Sequence, residues 1–263
     1  MPRVIEVVVP LVVIGTLVAG AIAIIAFKLA PPMRVHRVVY DVSPDLPVPF
    51  GYAMAWLALR TKETDRVVAA LGLDQPAQCN WSTGLGTVYD ADLGASRVFV
   101  SPPVDGWTLV AGLALPHPAA DAFVDKLTPE LLRLSIDFAE AQYFVSYPAL
   151  DMFAWVRATS GKLTRAFAMS EAGVIANKGR TSREEKALGL KMFEVRGVKG
   201  RQGPIGGPLL LYPTERHVMR VAGQWSLDPT VIDKLARQSP GLGRIGFAPA
   251  GWRVELQKRK HAA

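Results

Sequence analysis

The chain has 263 residues, 50% of them hydrophobic and 20% charged, which excludes disorder throughout and allows a sizeable core. Its single cysteine, Cys79, excludes an intrachain disulfide and any cluster of thiolate metal ligands. The formal net charge of +7 is most visible in two basic stretches, a Gly-rich run at 196–203 and the C-terminal tail at 253–261. Such runs read either as solvated loop and tail or as contacts for anionic lipid headgroups, and nucleic acid is the less favoured partner.

Residues 7–27 come first and carry the strongest signal. They form twenty-one consecutive positions without a charge. As a helix this run is roughly 31 Å long, about the thickness of a bilayer's hydrocarbon core. It predicts an N-terminal single transmembrane helix, with the lipid bilayer as its partner. A secretory signal has a shorter apolar core, of about 7–15 residues. Here the run continues past the small residues Ala19 and Ala21 to Phe27 and ends at Lys28, so an uncleaved anchor is expected rather than a secreted domain. Gly15, Ala19 and Ala23 recur every four residues and would lie on one helix face, where small side chains permit helix–helix association in the membrane. Arg3 and Glu6 flank the run on one side, and Lys28, Arg34 and Arg37 on the other. The positive-inside rule therefore leans toward a cytoplasmic domain at an inner (plasma) membrane, with a periplasmic or external domain as the alternative.

Residues 28–49 read as a Pro-rich linker in which Pro31 and Pro32 stop the helix and 35–40 could form a short strand. A globular α+β domain with antiparallel hairpins is expected over 50–263, ending in the basic tail. The apolar run at 51–60 predicts a strand, and 64–71 a helix closed by Gly72. Residues 74–96, rich in Gly, Asp and Asn, are expected to be loop with one strand near 86–89. Around Asp105-Gly106 a β-hairpin is predicted over 97–111. Two helices follow, at 119–127 and 130–134, the second opened by Thr128 and Pro129. A strand is expected at 141–146, then a hairpin at 153–158 and 162–168 about Ser160-Gly161, and another strand at 173–176. Thr181 and Glu184 suggest a capping box opening a helix that Gly189 closes. A last helix is predicted from Ser226 or Asp228 to about 238, then loop to 251 and a final strand at 252–256.

None of the candidate chemical motifs predicts a site. His36, His117, His217 and His261 are scattered without metal-ligand spacing, and the run at 200–207 lacks the ending of a phosphate-binding loop. Gly84 and Gly86 lack the third glycine of a dinucleotide fingerprint. Ser82, Ser101 and Ser160 lie outside any nucleophile-elbow motif, and Asp105 reads as a turn residue. Cys79 reads as a packed small residue, with a nucleophile paired to a distant His as the alternative. The tryptophans at 56, 81, 107, 155, 225 and 252 read as core or rim anchors, or as the lining of an aromatic groove. No catalytic, cofactor-binding or metal-ligating residue is therefore predicted.

At Pro49-Phe-Gly-Tyr52, at 102–110 (PPVDGWTLV) and at Trp225-Ser-Leu-Asp-Pro229 the sequence resembles a group of uncharacterised bacterial proteins. The resemblance implies one soluble α+β domain and carries no activity, cofactor or residue role. The resulting expectation is a membrane-anchored, non-enzymatic binding or interaction domain with an unknown protein partner. The alternatives are a membrane-anchored enzyme whose site is assembled from dispersed residues, or a secreted domain after signal cleavage.

Overall fold

The computed structural model describes residues 38–119, 123–171, 173–188, 213–235 and 239–256. From Tyr40 onward the chain forms one compact unit, an α+β domain built on a nine-stranded sheet in which every pairing is antiparallel. The strands are β1 (Met54–Leu59), β2 (Asp74–Cys79), β3 (Arg97–Val100), β4 (Thr108–Ala111), β5 (Glu140–Tyr147), β6 (Met152–Thr159), β7 (Lys162–Ser170), β8 (Gly173–Gly179) and β9 (Gly243–Phe247). Their spatial order is β2-β9-β3-β4-β1-β5-β6-β7-β8. Five α-helices are described: α1 (Thr64–Leu71), α2 (Trp81–Tyr89), α3 (Leu127–Asp137), α4 (Arg183–Ala187) and α5 (Glu215–Trp225).

The central strand β1 explains the layering. Its sequence, MAWLAL, is apolar at every position, and every position is buried. Because successive side chains leave a strand on opposite faces, such a run needs cover on both sides. Met54, Trp56 and Ala58 enter one core with α2 and α5, whereas Ala55, Leu57 and Leu59 enter the other with α1 and α3. The first core is aromatic: Trp56 stacks on Phe144 at 5.2 Å, Phe144 meets Trp225 at 5.9 Å, and Trp155 stacks on Phe167 at 4.7 Å. The second is mostly Val, Leu and Ala, joined by Tyr143 and Phe138, with Leu131 and Leu134 of α3 fully buried.

Both predicted hairpins form. Val104 and Trp107 exchange backbone hydrogen bonds across the first turn, where Asp105 and Gly106 have φ of +48° and +84°. Two successive positive φ values match the right-handed twist of the flanking strands, which is why Asp-Gly is placed there. The second hairpin turns at Ser160 and Gly161 in the same way. Helix α1 has the expected bounds, and the strands predicted at 51–60, 141–146 and 173–176 form as β1, β5 and β8.

Other expectations are corrected. Residues 74–96 hold strand β2 and helix α2, not loop with a strand near 86–89. Helix α2 starts because Asn80 accepts a hydrogen bond from the Thr83 N–H, a side-chain N-cap. Its glycine at 84 marks close packing: a Cβ there would lie 2.2 Å from the Phe99 ring on β3. The capping acids come from the segment read as linker. Asp45 accepts from the backbone N–H of Trp81 and Ser82 at 2.7 and 2.9 Å, and Asp41 C=O accepts from Asn80 N–H at 2.8 Å.

Residues 123–126 are not helical. Phe123 forms an isolated bridge with Leu256, and α3 begins at Leu127, where Asp125 rather than Thr128 supplies the capping oxygen. The capping box of α4 is shifted by one residue, to Ser182 and Glu185. Asp228 caps a 3-10 turn over Pro229–Lys234 instead of a longer helix. Within 239–251, expected to be loop, β9 inserts between β2 and β3, and of the strand expected at 252–256 only the Leu256 bridge forms. Helix α5 had no sequence expectation at all.

Among the described residues no helix is long and apolar enough to cross a membrane. The run at 7–27, with Gly15, Ala19 and Ala23, lies outside the described residues, as do His36, His261, Gly189, residues 200–207 and the residues beyond Leu256.

Candidate functional site

The most concentrated polar chemistry of the domain lies under α4 and α5, on the aromatic face of the sheet. It arises from register. Gln142 of β5 pairs with Arg157 of β6, and Arg157 pairs with Arg165 of β7, so three polar side chains stand in one row across three strands. Alternation alone would place these positions on a solvent face. Helices α4 and α5 cover that face instead, so the polar groups must satisfy one another.

They do so in two linked clusters. In the first, Glu185 of α4 is fully buried and Arg165 almost so, with side-chain exposures of 0% and 3%. Arg165 Nε donates to both Glu185 oxygens at 2.8 Å, and Nη2 lies 2.7 Å from Oε1 as an ion-pair contact off the hydrogen-bonding angle. Trp155 Nε1–H donates to Glu185 Oε1 at 2.8 Å, and the Ser182 N–H to Oε2 at 2.7 Å. Arg165 Nη1 reaches Asn177 Oδ1, Ala166 C=O and Lys178 C=O. Glu185 therefore closes the capping box of α4 and neutralises a buried arginine with the same carboxylate.

In the second cluster the buried Glu140 accepts from Arg157 Nε at 2.6 Å and from Gln142 Nε2 at 2.7 Å, with Arg60 Nη1 at 3.7 Å. Gln142 Nε2 also donates to Trp225 C=O at the end of α5, and Arg157 lies over the Trp225 ring at 5.6 Å. Glu184 joins from the rim: its carboxyl is held below the ordinary range by a hydrogen bond from its own backbone, helped by Ser182, Trp225 and the charge of Arg157 and opposed by partial burial. Trp225 Nε1 is buried without a well-formed hydrogen bond, as is Gln142 Oε1. The clusters balance two buried carboxylates against two arginines and pin both helices to the sheet. Chemically they form a charge-neutral clamp.

The residues weighed from sequence lie elsewhere and are not brought together. His117 is held by Tyr143 Oη at Nδ1 (2.8 Å) and by Leu113 C=O at Nε2 (2.9 Å). Because a carbonyl can only accept, Nε2 carries the proton and Nδ1 accepts from the tyrosine hydroxyl. Burial lowers the His117 pKa, which keeps the ring neutral. His217 completes a capping box with Thr214 at the start of α5. Cys79 is buried, and desolvation pushes its thiol up to about 12, which opposes a nucleophilic role. Ser82 donates to Asp45, and Ser101 bridges Pro102 C=O and the Leu109 N–H. Gly84 and Gly86 lie inside α2. Trp56, Trp81 and Trp155 are core residues at 0% exposure, not the lining of a groove. Among the described residues no group of three or more His, Cys, Asp or Glu is placed to hold a metal.

The sequence reading missed Glu140, Gln142, Arg157, Arg165 and Glu185. One signal was present: Glu185 is the third residue after Ser182, the spacing of a capping box. No family model, curated protein or solved structure matches the chain. The likeness to a bacterial group thus adds no residue role to the geometry.

Proposed function

We propose that the chain is a single-pass membrane protein, anchored by residues 7–27 in a bacterial inner membrane, whose α+β domain serves as a binding or interaction module at the cytoplasmic surface. One observation carries the reading: an uncharged run long enough to span a bilayer stands ahead of a domain that forms its own compact unit from Tyr40. The buried charges of that domain support a non-enzymatic role, because Glu140 and Glu185 are engaged by arginines in structural contacts.

The test is membrane extraction of the full chain combined with a C-terminal fusion. Retention in alkaline carbonate pellets, with a fluorescent green fluorescent protein fusion and an inactive alkaline phosphatase fusion, is expected. Release by carbonate would refute the anchor, and strong phosphatase activity would refute the cytoplasmic placement. Affinity isolation from detergent-solubilised membranes should recover a reproducible protein partner, and repeated isolation of the chain alone would count against the interaction role.

A further inference from the structure

The two sides of the sheet treat their cations differently. On the side of α1 and α3, Arg66 faces Glu63, Arg133 faces Glu130 and Asp137, and Arg244 of β9 reaches Asp65. On the side of α4 and α5 the acids of the helices are engaged elsewhere. Glu185 is paired with the buried Arg165, Glu215 accepts from Ser146 Oγ at 3.1 Å, and Glu184 at the rim meets Trp225 and the charge of Arg157. Arg183 and Lys186 of α4 and Arg216 and Arg220 of α5 are exposed, and among the described residues none of the four has an acidic partner. The buried residues of α5 are Val218, Met219, Val221, Ala222 and Trp225. With about 3.6 residues per turn, Arg216 and Arg220 therefore stand one above the other on the side turned away from the sheet. On α4, Arg183 likewise lies opposite the inward Glu185, and α4 packs beside α5. His217, between the two arginines in sequence, registers their charge: its pKa is lowered first by burial and then by Arg220 and Arg216.

The chemistry of this surface selects its occupant. Among the described residues, none of the large exposed apolar side chains lies on α4 or α5. The surface therefore lacks the buried anchors of a protein interface and the stacking platforms of a single-stranded nucleic-acid site. What it offers is positive charge on long side chains, which suits a broad layer of phosphates. We propose that Arg183, Lys186, Arg216 and Arg220 form a platform through which the domain rests on the anionic headgroups of a lipid bilayer. This rests on the membrane placement proposed above and adds to it the face of the domain that meets the bilayer and the lipid charge it selects. No apolar side chain enters the acyl region, so the seating is reversible and is weakened by salt. At about 5-fold per cation, neutralising two of the four should lower the ratio of docked to free domains about 30-fold.

The test uses the full chain reconstituted into vesicles. Cys79 is buried and its thiol is pushed up to about 12, so an introduced surface cysteine can be labelled selectively with a donor dye. Gln224→Cys places the dye on the exposed side of α5, and Ile136→Cys places it on α3, across the sheet. Energy transfer to an acceptor on the lipid headgroups reads which side is nearer the bilayer. In vesicles of phosphatidylcholine with phosphatidylglycerol, transfer from the α5 site should exceed transfer from the α3 site. The excess should vanish in phosphatidylcholine alone, at high salt, or in Arg216→Gln/Arg220→Gln. Equal transfer from the two sites in anionic vesicles would overturn the proposal, and so would an excess indifferent to lipid charge or to the arginines. Loss of the excess on adding a single-stranded RNA at equal phosphate concentration would assign the face to nucleic acid and overturn it likewise. If Arg216→Gln/Arg220→Gln folds poorly by tryptophan fluorescence, Arg183→Gln/Lys186→Gln gives a second variant that must also lower the excess. Carbonate extraction of the same samples reads the anchor separately: retention without the excess is a failure of docking, and release with the excess kept is a failure of anchoring.

Discussion

Replacing Glu185 with Ala tests the clamp under α4 and α5. The substitution removes a fully buried carboxylate and leaves the Arg165 guanidinium, 3% exposed, with only neutral acceptors at Ala166, Asn177 and Lys178. Breaking one side of a buried ion pair costs about 3–5 kcal/mol, because the surviving charge is desolvated without compensation. Trp155 Nε1–H also loses its acceptor, a penalty of about 1–3 kcal/mol that overlaps the first because both arise from one site. Taken together a loss of about 4 kcal/mol is expected, and with a urea slope of about 3 kcal/mol/M the unfolding midpoint should fall by roughly 1.3 M. Tryptophan fluorescence of the full chain in mild nonionic detergent reads this directly, since Trp155 contacts the lost group and stacks on Phe167. The paired variant Arg165→Met/Glu185→Leu should recover the part of the loss due to the unpaired guanidinium, while the Trp155 Nε1–H and Ser182 N–H stay without their Glu185 acceptor. An unchanged midpoint in Glu185→Ala, or a paired variant no better than the single one, would refute the assignment.

The two glycines of α2 should respond in opposite directions. Gly84→Ala forces a Cβ against the Phe99 ring and should cost about 1–3 kcal/mol, whereas Gly86→Ala, with open space around the new methyl, should stabilise by about 0.5–1 kcal/mol; equal midpoints in urea would contradict the packing of α2 on β3. Burial depresses the His117 pKa, so the unfolded chain binds a proton there before the folded one does. The contribution is complete above the unfolded value of about 6.5 and falls by at most about 1.4 kcal/mol per pH unit as the pH drops from there toward the folded value. His117→Gln should flatten the stability profile in that window, and an identical slope would place the titration elsewhere, for example at His217, whose pKa is lowered by burial and by Arg220 and Arg216. Cys79 should resist iodoacetamide at pH 8 in the folded chain and react after unfolding; rapid labelling of the native protein would contradict its buried, high-pKa state. Ala19→Leu should weaken self-association of residues 7–27 in a membrane two-hybrid assay if Gly15, Ala19 and Ala23 form a packing face, and undiminished signal would remove that face from consideration.

Local signals in the sequence determined the elements whose structure is decided locally. The run MAWLAL favoured a strand over a helical turn, Asp105-Gly106 and Ser160-Gly161 signalled tight turns, and α1 with Gly72 carried its own start and stop. Where a residue's role is set by a partner distant in sequence, the sequence was silent or misleading. Gly84 reads as a loop glycine until Phe99 is placed against it, and the capping oxygen of Asp45 lies 36 residues before Trp81. Strand β9 is short and glycine-rich, and it exists because β2 and β3 supply hydrogen-bond partners on both sides. The polar row was invisible for the same reason: Arg157 and Arg165 fit an alternating strand with one wet face, and only the packing of α4 and α5 shows that this face is covered, with Arg165 buried and Arg157 at its rim. The run at 7–27 is the opposite case, since twenty-one uncharged residues suggest a bilayer from composition and length alone, through the cost of leaving that much apolar surface in water.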